Sequence, residues 1–112
     1  MKRVDVLITH EHLIEINELL HKHNVVGIYD VKGRGRSNLE SVDLGRGIIR
    51  SVPEFSVGTK IEVVVADNLV KPVVDDILNM LRKGSFASGK IFVSDIIEAY
   101  NIETNETGDA AL

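Results

Sequence analysis

Hydrophobic residues along the chain alternate in two rhythms. From Lys2 to Ile8, Val4, Val6 and Ile8 recur with period two against Arg3, Asp5 and Leu7, which predicts a strand rich in β-branched residues. Thr9 can cap a helix beginning just after it. From His12 to His23, Leu13, Ile16, Leu19 and Leu20 fall on one side at helical spacing, with Glu15, Glu18 and Lys22 outside and Asn24 as the stop. Val25 to Val31 reads as a second strand. Gly33 and Gly35 break the pattern, and no clean period returns before Lys60. Lys60 to Val65 predicts a third strand. The clearest helix runs from Leu69 to Leu81, where Val70, Val73, Val74, Ile77 and Leu81 mark one stripe. Pro72 is placed in its first turns and Gly84 at its end. Lys90 to Asp95 predicts a fourth strand.

The order is β-α-β, a long loop, then β-α-β. It predicts an α+β, ferredoxin-like βαββαβ sandwich: a four-stranded antiparallel sheet with both helices on one face. The other face then needs a cover, and a second copy of the chain supplies one most cheaply. The loop, about residues 36–59, is longer than the roughly 12–15 residues that ordered domains leave without structure unless the loop has a task. Residues from about 96 to 112 form a tail, and the 112 residues make one domain.

Composition narrows the function. Thirteen basic residues against seventeen acidic ones give a net charge of −4, unlike a nucleic-acid binder held by charge. The chain has no Cys, which removes disulfides, thiolate metal sites and a thiol nucleophile and fits a cytoplasmic protein. No apolar run is long enough to cross a membrane, and the first residues lack the apolar core of a secretory leader. Charge is unevenly spread. Residues 32–50 carry Lys32, Arg34, Arg36, Arg46 and Arg50 against Glu40 and Asp43, whereas residues 91–112 carry Asp95, Glu98, Glu103, Glu106 and Asp109 and no base. This is either ordinary solvated surface or an anion-meeting loop opposite a tail that shapes a subunit edge.

Two glycine-bearing segments carry the candidate chemistry: Lys32-Gly33-Arg34-Gly35-Arg36, leaving the second strand, and Gly84-Ser85-Phe86-Ala87-Ser88-Gly89-Lys90, entering the fourth. Successive glycines let backbone N–H groups turn into one concavity that holds phosphate oxygens. Arg36 offers a planar fork and Lys90 a point charge to the same anion. The plain alternative is two turns with surface cations; a G-x-G alone is weak and no Walker pattern is present.

Val31-Lys32-Gly33-Arg34-Gly35-Arg36 resembles the V-K-G-F-G-R that opens the T-loop of the PII signalling proteins, the nitrogen-regulatory family. Lys60-Ile61-Glu62-Val63-Val64-Val65 is similar to their third strand, K-I-E-I-V-V, and Ser88-Gly89-Lys90-Ile91-Phe92-Val93 to their D-G-K-I-F-V. Gly108-Asp109-Ala110-Ala111-Leu112 matches their acidic-D-A-A-I ending. The resemblance covers essentially the whole chain. It implies a non-enzymatic homotrimer with ADP or ATP, or AMP, in clefts between neighbours. The T-loops would dock on a partner: an ammonium channel by family default, a bicarbonate or polyamine transporter, or a metabolic enzyme. By position, Gly33, Arg34 and Gly35 would line the cleft with Arg36 near the phosphates. Glu62 and Val64 would lie near base and ribose, and Ala87, Ser88, Gly89 and Lys90 would surround the phosphates.

Departures qualify the expectation. The family's 2-oxoglutarate and magnesium site uses a Gln where this chain has Ser37, and a Lys where it has Gly58. Serine is a weaker ligand and glycine supplies no cation, so the substitutions argue against typical 2-oxoglutarate sensing. Two arginines that the family points at a neighbour's phosphates correspond to Asn101 and Glu103, which favours ADP or AMP over ATP, or a rearranged tail. The uridylylated tyrosine and the phosphorylated serine of relatives align with Arg50 and Ile48.

Other constellations suggest other classes. His10, His12, His21 and His23 flank the first helix and would serve a metal-binding trimer of the CutA type, or simply lie on the surface. Arg36 and Asn101 are the loose candidates for an acylphosphatase-like hydrolase. Ser85 and Ser88 lack a spaced His and acid. Phe55 and Ile48-Ile49 either pack back onto the body or anchor a partner.

Overall fold

Strand β1 (Lys2–Ile8) is the axis of the sheet, paired along its whole length on both sides. The computed structural model describes residues 1–8, 12–35, 40–43, 49–52, 56–83 and 89–112. After β1 come α1 (Leu13–Lys22), β2 (Ile28–Gly35), β3 (Glu40–Asp43), β4 (Ile49–Val52), β5 (Ser56–Val65), α2 (Asp67–Arg82) and β6 (Gly89–Asp95). A short 3-10 turn, Gly108–Ala111, closes the chain. The main sheet is antiparallel in the order β2-β5-β1-β6, and β3 and β4 pair as a separate two-stranded ladder. With β3 and β4 set aside, this is the α+β ferredoxin-like order, each half contributing one inner and one edge strand.

Alternation decides which face is covered. Val4, Val6 and Ile8 of β1 are buried, as are their register partners Val63, Ile61 and Thr59 on β5. Ile16 and Leu20 of α1 and Val73 and Ile77 of α2 join them in one core, with Leu13, Leu19, Val70, Val74 and Leu81 packed at its margin. Burying each such aliphatic side chain stabilises the fold by about 1.5–3 kcal/mol. Both helices therefore lie on one side of the sheet, as their apolar stripes require.

Local chemistry sets the element ends. Asn24 adopts φ 58°, a left-handed conformation that asparagine tolerates. Its N–H donates to His21 O at 3.0 Å and the next N–H, of Val25, donates to Leu20 O at 3.0 Å, closing α1 as a Schellman motif. Helix α2 begins two residues earlier than its apolar stripe, at Asp67, whose carboxylate takes a 2.9 Å ion pair from the amino group of Met1. Pro72 consequently sits in the helix interior rather than its first turn. Its ring removes a hydrogen bond to the Asn68 carbonyl, and both residues are exposed, so water can satisfy that oxygen.

Two expectations need correction. Strand β2 starts at Ile28 instead of Val25 and runs through Gly33 to Gly35, because pairing with β5 overrides the weak strand preference of glycine. Strand β5 starts at Ser56 rather than Lys60. Between β2 and β5 the described residues form the β3–β4 ladder, with Glu40 opposite Val52 and Asp43 opposite Ile49. Thr9, Gly84, Phe55 and Ile48 lie outside the described residues.

Candidate functional site on the open sheet face

The face away from the helices is set by register. It carries Tyr29, Val31, Gly33 and Gly35 of β2, Gly58, Lys60, Glu62 and Val64 of β5, Arg3, Asp5 and Leu7 of β1, and Lys90, Phe92 and Ser94 of β6. Five of the candidate residues, Gly33, Gly35, Glu62, Val64 and Lys90, thus share this face. Arg34 and Gly89 hold register positions on the helix side, opposite Val57 and Ile8. Arg36, Ala87 and Ser88 lie outside the described residues.

The glycines shape the two ends of this face differently. Gly33 stands opposite Gly58, so one rung of the β2–β5 ladder has no side chains. A Cβ on Gly33 or Gly35 would meet nothing within 4 Å, so the backbone there is open to approach. A Cβ on Gly58 would lie 3.0 Å from the Ile8 carbonyl oxygen. The rung has no cation to offer a dicarboxylate. On β6, Gly89 is obligatory: a Cβ would lie 2.4 Å from Leu7 O. That close approach carries the chain into Lys90, whose side chain is exposed and has no ion-pair partner among the described residues.

β2, which carries Gly33 and Gly35, and β6, which carries Gly89 and Lys90, are opposite edge strands, three strand spacings apart, or about 14 Å. Gly33 and Lys90 of one chain are therefore too far apart to touch one phosphate together.

Between these edges lies a cluster that sequence reasoning missed. Arg3 Nε donates to Asp5 Oδ2 at 3.1 Å, and Arg3 Nη1 stands 3.8 Å from Glu62 Oε1. Lys60 Nζ lies 3.3 Å from Glu62 Oε2 and 3.6 Å from Asp5 Oδ1. The signal was available, since Arg3/Asp5 and Lys60/Glu62 are the polar members of two alternating strands. Glu62, a candidate for the ribose, already has its carboxylate engaged by two cations.

The tail is organised by its own polar groups. Asn101 Oδ1 accepts from Glu103 N at 2.9 Å and Thr104 N at 3.1 Å, while Asn105 (φ 60°) and Gly108 (φ 66°) turn the chain back. Asn101, weighed as a water-positioning group for hydrolysis, spends its side-chain oxygen on this turn. Tyr100 donates to Glu98 at 2.7 Å, and that bond to a carboxylate raises the phenol above its ordinary 10.0. The described histidines are dispersed. His23 pairs with Asp76 at 2.7 Å, joining α1 to α2, and His12 stands 3.8 Å from Glu15. No group of three metal-capable side chains exists among the described residues. No helix among them is long and apolar enough to cross a membrane.

The architecture is that of a ferredoxin-like α+β protein with one sheet face free of helices and an insertion between β2 and β5. The family described as Nitrogen regulatory protein P-II matches residues 1–106. Over 114 aligned positions spanning the whole of both chains, this chain is 36% identical to the Nitrogen regulatory protein P-II of Klebsiella oxytoca and 37% to that of Cereibacter sphaeroides. It is 36% identical to Nitrogen regulatory protein P-II 1 of Escherichia coli K12, again over the full length of both. The chain belongs to the PII nitrogen regulatory family of signal-transduction proteins.

Proposed function

We propose that this chain assembles as a homotrimer, holds ADP or ATP (or AMP) in clefts between copies, and passes nucleotide state through residues 36–59 to a partner. That partner is a membrane transporter or a metabolic enzyme. One observation carries the reading: three of the five open-face candidates sit at the two margins of the sheet, Gly33 and Gly35 on one edge strand and Lys90 on the other. A single chain cannot close a pocket from opposite edges, whereas neighbouring copies can bring one margin of each together. The open space beside Gly33 admits phosphate or ribose oxygens, and Lys90 suits phosphate charge.

A nucleotide moves the loop only as far as it binds one conformation more tightly than another. Differential affinity is therefore the quantity to measure. The empty rung at Gly33 and Gly58 argues for little effect of 2-oxoglutarate and magnesium, and the acidic tail argues for ADP or AMP over ATP. Calorimetric titration with ATP, ADP and AMP, each with and without 2-oxoglutarate and magnesium, tests the reading. Nucleotide binding unaffected by 2-oxoglutarate is expected; absence of any nucleotide heat at millimolar concentration removes the proposal.

A further inference from the structure

Met1 and Lys2 fasten both ends of a unit far along the chain. The Met1 amino group donates to Asp67 Oδ1 at 2.9 Å, in the first turn of α2. The Met1 carbonyl oxygen accepts from Ile96 N at 3.3 Å, just past the end of β6, and the Lys2 ammonium donates to Asp95 Oδ1. Asp67 and Asp95–Ile96 are the two ends of one excursion, α2 with β6, which carries Lys90. Chain ends usually fray unless they are tied down. Here the Met1 side chain is only 7% exposed, while its amine reaches an aspartate that is 71% exposed. Asp67 holds the first helical position, where the leading N–H groups already favour an anion. The amine adds to that: its hydrogen bond, and then its charge, hold the Asp67 carboxyl below the ordinary 3.8.

Only a free α-amine makes this contact. As an ammonium the nitrogen brings a positive charge and donors that can turn toward the carboxylate. An acyl group on the same nitrogen, such as formyl, leaves a neutral amide with one N–H, and so does a preceding residue. Hydrolysis of that amide by water releases the carboxylic acid and returns the amine, which takes a proton from solvent. We infer that the Met1 α-amine is a modification-sensitive site: any acyl group carried on it at synthesis must come off before the start of α2 is fully fastened, and later N-acylation loosens it again. The inference stands apart from the nucleotide reading, since it needs neither assembly nor ligand. It also separates two roles. The Met1 carbonyl and the Lys2–Asp95 pair survive acylation, so the end of β6 stays held and the loss falls on α2.

Thermal melts and amide hydrogen exchange of the full chain test this in two forms told apart by intact mass: free amine, and N-formyl recovered from expression with deformylation inhibited. Formylation should lower the melting midpoint by about 2–4 °C, the scale of one partly shielded ion pair in a chain of this size. The Leu69 amide, which donates to Ala66 O at 3.0 Å at the start of α2, should exchange about threefold faster, and the Ile96 amide should change less. The difference between the two forms should vanish as pH falls through the native Asp67 value, below 3.8, because the depressed carboxylate stabilises only while ionised. Asp67→Asn with its amine free should lose at least as much midpoint as formylation does, and formylating that variant should add nothing. Equal midpoints for the free and formylated chains overturn the inference, as does a formyl effect undiminished in Asp67→Asn. Should the formylated chain fail to fold, the free-amine Asp67→Asn variant decides, and a midpoint equal to wild type overturns the inference.

Discussion

Gly89 and Leu7 approach so closely that a Cβ on the glycine would lie 2.4 Å from the Leu7 carbonyl oxygen. The contact involves backbone held on both sides by sheet pairing, so it cannot relax as a flexible side chain would. Gly89→Ala should therefore destabilise the fold by about 2 kcal/mol, within the range of overpacking substitutions. Urea denaturation checks this: the midpoint should fall with the slope retained, and an unchanged midpoint would contradict the geometry.

Gly33 is the counter-case. Nothing lies within 4 Å of the position its Cβ would take. Gly33→Ala should leave stability within about 0.5 kcal/mol of wild type, as for other unencumbered surface changes. If the backbone there meets a nucleotide, the added methyl should weaken ADP binding by about tenfold, a cost of about 1.4 kcal/mol. Calorimetry beside a thermal melt separates the two effects; loss of stability without loss of affinity would count against the cleft.

Helices and inner strands were legible because burial on one side imposes a period. The stripe Val70, Val73, Val74, Ile77 and Leu81 and the alternation Val4, Val6, Ile8 point inward as the periods require. Element ends were less legible. Asp67 extends α2 by pairing with the Met1 amino group, a contact between residues far apart in sequence. The strand character of residues 32–35 and 56–59 comes from their mutual pairing, which no local pattern announces at Gly33, Gly35 or Gly58. The same gap hid the separation of the two glycine segments: strand order, set by tertiary packing, puts β2 and β6 at opposite margins. The Arg3–Asp5–Lys60–Glu62 cluster needed register to become visible, since its two halves are more than fifty positions apart.

Truncations in the core should be costly at the points where helices meet the sheet. Ile16 and Ile77 are fully buried on facing helices. Ile16→Ala and Ile77→Ala should each lower unfolding free energy by about 2–5 kcal/mol, the cost of lost transfer energy plus a residual cavity. Exposed Ile14, 72% accessible on the same helix as Ile16, supplies the control. Its alanine variant should stay within about 0.5 kcal/mol of wild type in the same urea titration.

Lys90 is the most direct probe of the phosphate end. It is exposed on an edge strand and faces the bare side of the sheet, so removing it costs the fold little. Lys90→Ala should weaken nucleotide binding by about 1.5–3 kcal/mol, the worth of a hydrogen bond to a charged group. The loss should grow from AMP to ADP as phosphate charge increases. Equal losses for both nucleotides in parallel titrations would place the lysine away from the phosphates.

Tyr100 provides a titration internal to the tail. Its hydroxyl donates to the Glu98 carboxylate at 2.7 Å, and this bond, with a smaller contribution from desolvation, raises its pKa above 10.0. A group whose native pKa exceeds its unfolded value binds more protons in the folded state across the interval between them. Its stabilisation is complete below about pH 10 and is lost as pH rises through the native value. Lys2, raised by its hydrogen bond to Asp95, contributes with the same sign in the alkaline range. In a Tyr29→Phe background, ultraviolet difference titration should show Tyr100 ionising above 10.0, and Glu98→Ala should move it back toward that value. Stability of Tyr100→Phe, measured by urea, should lie below that of the parent at neutral pH and converge with it above pH 10. A Tyr100 titration unmoved by Glu98→Ala would show that the hydrogen bond does not hold the turn in solution.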